Sequence, residues 1–118
     1  MLNQMVIVGR LVDEPKMKEL EDGKKVANLT LAVPRSYKNA NGEYDTDFID
    51  CILWGGVAEN TCEYCKKGDL LGVKGRIQTN YYEKDGKNIK NTEVVAEKVT
   101  FLTSNNKDKE NDEVEAEI

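Results

Sequence analysis

The stretch VANLTLAV, residues 26–33, alternates between two kinds of side chain along its whole length. In an extended chain successive side chains point to opposite faces, so one face here is apolar and the other is small and mostly polar. The apolar face consists of Ala27, Leu29, Leu31 and Val33. This pattern predicts a strand of an antiparallel sheet that buries one face, and Pro34 is expected to end its ladder.

The rest of the chain predicts further strands and one short helix. In chain order these are a strand at 3–12 bent at Gly9, a short strand at 16–20, a strand at 48–54, a helix at 57–67, and strands at 69–82 and 88–102. Residues 35–47 are polar, with Asn41-Gly42 as a hairpin tip, and residues 84–87 predict a turn. About five strands with one helix favour a small, strongly bent barrel, because an antiparallel sheet of this size must bury one face and hide its edges.

Length and composition exclude several classes of protein. The chain has 118 residues, 39% hydrophobic and 33% charged, which fits one soluble domain. It shows no membrane-spanning run and no signal peptide, so we expect a cytoplasmic protein without membrane contact. The absence of histidine excludes histidine-based triads and histidine metal ligands. Three cysteines without a secretion signal indicate reduced thiols.

Charge is distributed unevenly along the chain. The net charge is −5, but residues 104–118 hold six acidic and two basic residues, which leaves −1 for residues 1–103. Between residues 66 and 90 there are seven basic and three acidic residues. We therefore expect a domain at 1–103 with a locally basic stretch, and a disordered acidic tail at 104–118. The tail is either inert and solubilising, or an arm that competes with nucleic acid or recruits a basic partner.

The predicted strand at 48–54 has two different faces. Ile49, Cys51 and Leu53 form an ordinary core face, while the opposite face places Phe48 and Trp54 around Asp50. An aspartate is seldom buried without a partner, so this second face is expected to be wet. Exposed aromatic rings on a sheet suit base stacking, and a small hydrophobic cluster under a loop is the alternative.

The other aromatic residues lie close to cations. Tyr37 and Tyr44 flank the predicted tip at Asn41-Gly42, and Tyr81 and Tyr82 precede the predicted turn at 84–87. Rings interleaved with Lys and Arg are typical of single-strand binding, where bases stack and cations follow the phosphates. Tyrosines that only cover apolar surface are the alternative. Phe101 and Tyr64 are assigned to structure.

Cys62-Glu63-Tyr64-Cys65 is a CxxC motif within the predicted helix. No second CxxC and no histidine is available for zinc, and no βαβ pattern surrounds the pair as in thiol oxidoreductases. A structural role is therefore favoured, and neither a metal nor a cofactor is expected. A thiol enzyme that uses Cys62 and Cys65 is the rival hypothesis from another functional class.

Several stretches together resemble the bacterial-type single-stranded DNA-binding protein family over about residues 2–102. They are NQMVIVGRL (3–11), VANLTLAV (26–33), DFIDCILW (47–54), Ala58-Glu59, YCKKGD (64–69), VKGRIQT (73–79) and TEVVA (92–96). The resemblance implies a non-enzymatic, five-stranded OB-fold barrel, usually a homotetramer, that binds and protects single strands without sequence preference in replication, recombination and repair. It implies base stacking on Tyr37, Phe48, Trp54 and Tyr82. The nearby cations assigned to phosphates are Lys38, Lys66, Lys67, Lys74 and Arg76.

The chain departs from the family pattern at three places. Asp50 lies between two stacking positions, Gln78 and Asn80 stand where members often carry cations, and the C-terminus ends Glu117-Ile118. The first two departures predict weaker or more salt-sensitive binding. Family members commonly end in an acidic run closed by Pro-Phe that docks replication and repair proteins, so the third departure questions such docking. An OB-fold module for RNA or for a replication protein is the other rival hypothesis.

Overall fold

The structure is a computed structural model and describes residues 1–102. The elements in chain order are β1 (Met5–Leu11), β2 (Lys16–Glu19), β3 (Lys25–Lys38), β4 (Tyr44–Trp54), α1 (Gly55–Tyr64), β5 (Leu70–Lys84) and β6 (Lys87–Phe101). Every predicted strand and the predicted helix are present, although α1 begins two residues and ends three residues earlier than the predicted 57–67. The predicted acidic tail at 104–118, and the domain boundary at 103, lie outside the described residues.

Five of the strands close into a barrel. The strand order is β1-β5-β6-β4-β3-β2, and β1 also pairs with β3 at Arg10–Leu11, which completes the ring. β4 and β6 run parallel through Cys51–Leu53 and Val94–Ala96, whereas all other neighbours are antiparallel. The predicted five-stranded barrel is confirmed, with β2 added as a sixth, outer strand on β3.

The barrel interior is filled by the apolar faces that the alternation predicts. Its fully buried side chains include Leu31, Leu53, Leu71, Val73 and Val99. Gly75 lies at the bulge between β5 and β6, where an added Cβ would collide with the backbone of Val95. A glycine at this point therefore permits the close backbone approach that a small barrel needs.

Two hairpins extend beyond the barrel, and one of them corrects the sequence prediction. Pro34 does not end the ladder of β3: it pairs with Thr46, the register shifts after it, and pairing resumes at Lys38 and Tyr44. Residues 35–47, predicted as a polar segment around a tip, therefore form a two-stranded arm (the β3–β4 arm) with its tip at 39–43. The predicted tip at Asn41-Gly42 is confirmed, whereas the predicted end of the strand at Pro34 is wrong, because the pairing continues past Pro34 with a shifted register.

The second hairpin, the β5–β6 arm (residues 78–93), follows the prediction. Lys84 pairs with Lys87 across a two-residue turn in which Asp85 and Gly86 both have positive φ, 54° and 77°. Such a turn matches the natural twist of two antiparallel strands, so the arm continues β5 and β6 directly. Together the two arms flank the outer face of the barrel formed by β3 and β4.

Candidate nucleic-acid interface

The outer face of β4, with Phe48, Asp50, Ile52 and Trp54, forms the centre of the candidate site, and we call it the aromatic face. Alternation along β4 directs these four side chains away from the core that holds Cys51 and Leu53. Phe48 is 65% exposed, because the residue beside it on β3 is only Ala32. Trp54 is half-buried beside Val26. The prediction that this side of the strand is wet is confirmed.

Asp50 lies between the two aromatic residues and is held by the neighbouring strand. It pairs in register with Thr30, whose hydroxyl donates a hydrogen bond of 2.6 Å to Oδ1 of Asp50. Among residues 1–102 no lysine or arginine forms an ion pair with this carboxylate. The aromatic face therefore combines a flat apolar ring with an oriented, exposed hydrogen-bond acceptor.

The β3–β4 arm carries the next aromatic group. Tyr37 and Tyr44 are 63% and 56% exposed, and the Lys38 ammonium lies 5.9 Å from the centroid of the Tyr44 ring. Arg35 makes a two-pronged contact with Asp47, with Nη2 2.9 Å from Oδ1 and Nε 3.1 Å from Oδ2. This contact holds the pKa of Asp47 below its usual value. The ion pair links the two strands of the arm, and both tyrosine rings remain exposed.

The β5–β6 arm exposes two adjacent tyrosines on opposite sides. Strand alternation puts Tyr82 on the same side as Gln78 and Asn80, and Tyr81 on the other side. Tyr82 pairs with Ile89 and Tyr81 with Lys90. Only Tyr82 therefore continues the outer surface of the barrel.

The five predicted cations are not equivalent in the structure. Lys38 lies among the arm tyrosines, and Lys66 and Lys67 lie in the turn after α1, where the Lys67 backbone N–H donates to Glu14. Lys74 pairs with Val6 of β1, on a different side of the barrel from Phe48.

Arg76 is engaged by its neighbours. Its Nε lies 3.2 Å from Oε2 of Glu97, and its Nη1 donates to Oε1 of Gln78 at 2.8 Å. A phosphate at this position must compete with Glu97 for the guanidinium. Both side chains of this ion pair are partly exposed, so the pair itself is weak.

Two cations that the sequence reasoning missed lie beside the aromatic face. Lys18 is in register with Val26, which in turn pairs with Trp54, and Lys16 is in register with Asn28. Both lysines are exposed. Adjacent strands are about 4.8 Å apart, so Lys18 lies about 10 Å from β4. The sequence predicted the short strand at 16–20 but held no signal for its pairing partner.

An open groove of about 520 Å³ crosses the outer surface next to Asp50. Its walls come from the β1–β2 loop, the first residue of β2, β3, β4 and the base of the β5–β6 arm, just before the point at which β4 and β6 begin their short parallel pairing. The polar and charged residues along it include Glu14, Lys16, Asn28, Thr30, Asp50 and Glu93. The volume of the groove lies in the range of small-molecule pockets, and most of these polar residues can accept a hydrogen bond.

The cysteines belong to the core side of the molecule. Cys51 and Cys65 are buried, and burial raises the pKa of each thiol to about 12. Cys62 is half-buried, and burial raises its pKa as well. Thiols with raised pKa values are poor nucleophiles, which disfavours the thiol-enzyme hypothesis. Within residues 1–102 no group of three His, Cys, Asp or Glu side chains is arranged to hold a metal ion.

Tyr64 and Phe101, assigned to structure, contact each other with ring centroids 6.0 Å apart, and Phe101 is buried. In the described part of the chain no helix is long and apolar enough to cross a membrane.

The chain is similar to known proteins along nearly its whole described length. A relative from Bacillus subtilis, "Single-stranded DNA-binding protein B", is 50% identical over 86% of this chain and 91% of its own. "Single-stranded DNA-binding protein 3" of Listeria innocua is 50% identical over 88% of this chain, and "Single-stranded DNA-binding protein" of Bacillus cereus is 48% identical over 90%. The chain spans only 66% and 63% of the length of these last two relatives.

The fold is similar to a structure of a nucleic-acid complex. The Plasmodium falciparum SSB, solved in complex with ssDNA, superimposes with a TM-score of 0.77 at 25% identity, covering 87% of this chain and 96% of that one. The model of the Single-strand binding protein family matches residues 2–102. The barrel, its helix and the aromatic face all fall within this match, and the chain belongs to the Single-strand binding protein family.

Proposed function

We propose that this protein binds single-stranded DNA without reading a defined sequence, and that it protects exposed single strands during replication, recombination and repair. The observation that carries the proposal is the aromatic face, on an OB-fold barrel of a family named for single-strand binding. An aromatic ring that stacks on a base contributes about 1 to 3 kcal/mol and is tolerant of sequence. The protein is a binding protein and not an enzyme.

The bound strand crosses the aromatic face and is flanked by the two arms. Bases stack on Phe48 and Trp54 on β4, on Tyr37 on one arm, and on Tyr82 on the other. Lys38 contributes positive charge near the arm tyrosines, while Lys16 and Lys18 lie along the β2 side. Lys66, Lys67, Lys74 and Arg76 are further candidate phosphate ligands.

The sole tryptophan provides the direct test. We expect Trp54 fluorescence to be quenched by a homopolymeric single strand and to change little with a duplex of the same length, because paired bases cannot stack on the ring. Strong duplex binding without quenching contradicts the stacking model. A matched RNA oligomer that binds more tightly than DNA favours the RNA-binding alternative, since only RNA offers a 2′-OH.

The functional oligomer is proposed to be a homotetramer that acts in the cytoplasm on nucleoid DNA. Two features of β1 support association. Val6 and Val8 are 69% and 48% exposed on its outer side. In the described chain β1 pairs with β3 only at Arg10 and Leu11, so the edge of Met5–Val8 that faces away from β5 has no strand partner. Exposed aliphatic residues on an open edge favour pairing with a second copy.

Replication and repair proteins are the further proposed partners, through the acidic residues of 104–118. The charge of this segment suits a basic surface, either on such a partner or on the protein itself.

A further inference from the structure

We propose that Asp50 gives the single-stranded DNA surface a preference for bases with an exocyclic amino group, above all for cytosine over thymine or uracil. The inference rests on the proposed function, since it concerns what the aromatic face selects once a strand is bound. It refines sequence-independent binding into binding with a compositional bias.

The position of Asp50 brings it to the edge of a stacked base. It lies two residues after Phe48 on the same side of β4, which places it about 7 Å along the strand from that residue. Phe48 is the more exposed of the two rings on this face. A base stacked on Phe48 extends its hydrogen-bonding edge toward a neighbour at this distance, and the groove beside Asp50 provides the room.

The carboxylate is oriented by one neighbour and keeps acceptor capacity. Thr30 donates to Oδ1 at 2.6 Å, and within residues 1–102 Oδ2 receives no hydrogen bond from a protein group. An ionised carboxylate has about four acceptor sites, so the Thr30 contact uses only a fraction of them. The side chain is therefore fixed in place before a ligand arrives and offers only acceptors.

The choice between bases follows from this acceptor-only chemistry. Cytosine presents its N4 amino group as a donor, and pairing of an acidic side chain with that group is a known mode of base reading. Thymine and uracil present the O4 carbonyl at the same position, and two acceptors repel each other. Phosphates are repelled as well, so the backbone is expected to lie away from Asp50, on the side of Lys16 and Lys18.

Oligo(dC) and oligo(dU) of equal length are the matched probes, because they share ring size and lack the thymine methyl group. Binding is measured by fluorescence anisotropy of an end label at low salt and pH 8, where cytosine is unprotonated. We expect the unaltered protein to bind oligo(dC) roughly tenfold more tightly, which is the size of one hydrogen bond to a charged group.

Asp50→Asn is the decisive variant. The amide still accepts a hydrogen bond from Thr30, but it offers both a donor and an acceptor to the base, so the affinity ratio is expected to fall to about one. Asp50→Ala, which removes the acceptor altogether, should also lower the ratio and serves if the first variant fails to fold. Glu63→Gln removes the same charge at an exposed residue of α1 and should leave the ratio of the two affinities unchanged.

The outcomes separate this inference from the proposed function. If the unaltered protein binds neither oligomer, the proposed function fails. If it binds both with equal affinity, single-strand binding stands and the base preference is wrong. A preference for oligo(dC) that persists in Asp50→Asn and Asp50→Ala contradicts the assignment to Asp50, because the selection then comes from stacking alone.

Discussion

Two of the outer surfaces with exposed apolar side chains, on β4 and on β1, differ in what lies between the apolar groups. On β4, Asp50 lies between Phe48 and Trp54 and accepts a hydrogen bond from the hydroxyl of Thr30. On β1, Val6 and Val8 are exposed aliphatic residues on a strand with one open edge. Flat rings among polar groups suit bases, which are apolar on their faces and polar on their edges. Adjacent aliphatic side chains and unpaired backbone groups suit another protein surface.

This contrast shows that exposure alone does not identify a nucleic-acid surface. Phe48 and Val6 are almost equally exposed, at 65% and 69%. What separates them is the shape of the side chain and the polarity of its neighbours. Substitutions that change the shape or the polarity of the side chain at Phe48 or at Val6 test this distinction.

The largest effect is expected at β1. Val6→Asp should convert the proposed tetramer into smaller species, because it places a charge on the apolar contact surface between copies. Sedimentation at micromolar concentration measures the mass. Phe48→Asp is the matched control, since it adds the same charge at a residue of similar exposure and should leave the mass unchanged. A monomeric mass for the unaltered protein contradicts the role given to β1.

The next effect is expected on the aromatic face. Phe48→Ala and Trp54→Ala should each weaken single-strand binding by about 1 to 3 kcal/mol while thermal unfolding stays cooperative, because these rings do not fill the barrel interior. Titration with a labelled single strand measures the loss, and Tyr81→Ala, which removes an exposed ring outside the aromatic face, serves as the control. Unfolding of the Phe48→Ala variant would mean that the outer face of β4 contributes to the core.

A smaller effect is expected on the β5–β6 arm, where two adjacent tyrosines form a built-in comparison. Tyr82→Ala should weaken binding by about 1 kcal/mol, the low end for a stacked ring, because only Tyr82 continues the outer surface of the barrel. Tyr81→Ala removes a more exposed ring from the opposite side and should change affinity little. Equal losses in the two variants would show that the strand contacts both sides of the arm.

The sequence predicted those elements in which burial imposes a pattern. The two faces of residues 26–33 and 48–54 alternate because one side fills the barrel, and the structure confirms both. On the β3–β4 arm the tip at Asn41-Gly42 was predicted, but the length of its strands was not, because Pro34 was read as a stop. Pro34 is tolerated inside β3 because the register shifts after it. This shift involves both strands of the arm, so the sequence of β3 alone does not reveal it.

Site residues on one strand were easier to predict than contacts across strands. Alternation alone grouped Phe48, Asp50 and Trp54. In contrast, the pairing of Arg76 with Glu97 and the approach of Lys18 to Trp54 depend on strand register, which a single sequence does not encode locally. The family resemblance implied the five-stranded barrel but not these contacts between strands.

The smallest effect concerns the charges that oppose DNA. Affinity should fall steeply with salt, by about 0.7 log units per neutralised phosphate for each log unit of salt, because residues 1–103 carry a net −1 and must bind phosphates through local cations. On oligo(dU), which offers no amino group to Asp50, Asp50→Asn and deletion of residues 104–118 should each raise affinity several-fold at low salt. The substitution removes a carboxylate beside the bound DNA. The deletion removes six acidic residues, which we expect to compete with DNA for the basic surface.

Screening distinguishes the two charge effects from any change in stacking. At physiological ionic strength the Debye length is about 8 Å, so both gains should shrink as salt rises, whereas the losses from Phe48→Ala and Trp54→Ala should persist. A salt series of oligo(dU) titrations on the intact protein, the truncated protein and Asp50→Asn measures this, with Glu63→Gln as a variant of equal charge at an exposed residue of α1. Identical low-salt affinities for all of them would mean that neither charge group lies near the path of the strand. The phosphates would then have to be assigned to cations elsewhere on the barrel, beginning with Lys74 on the β1 side.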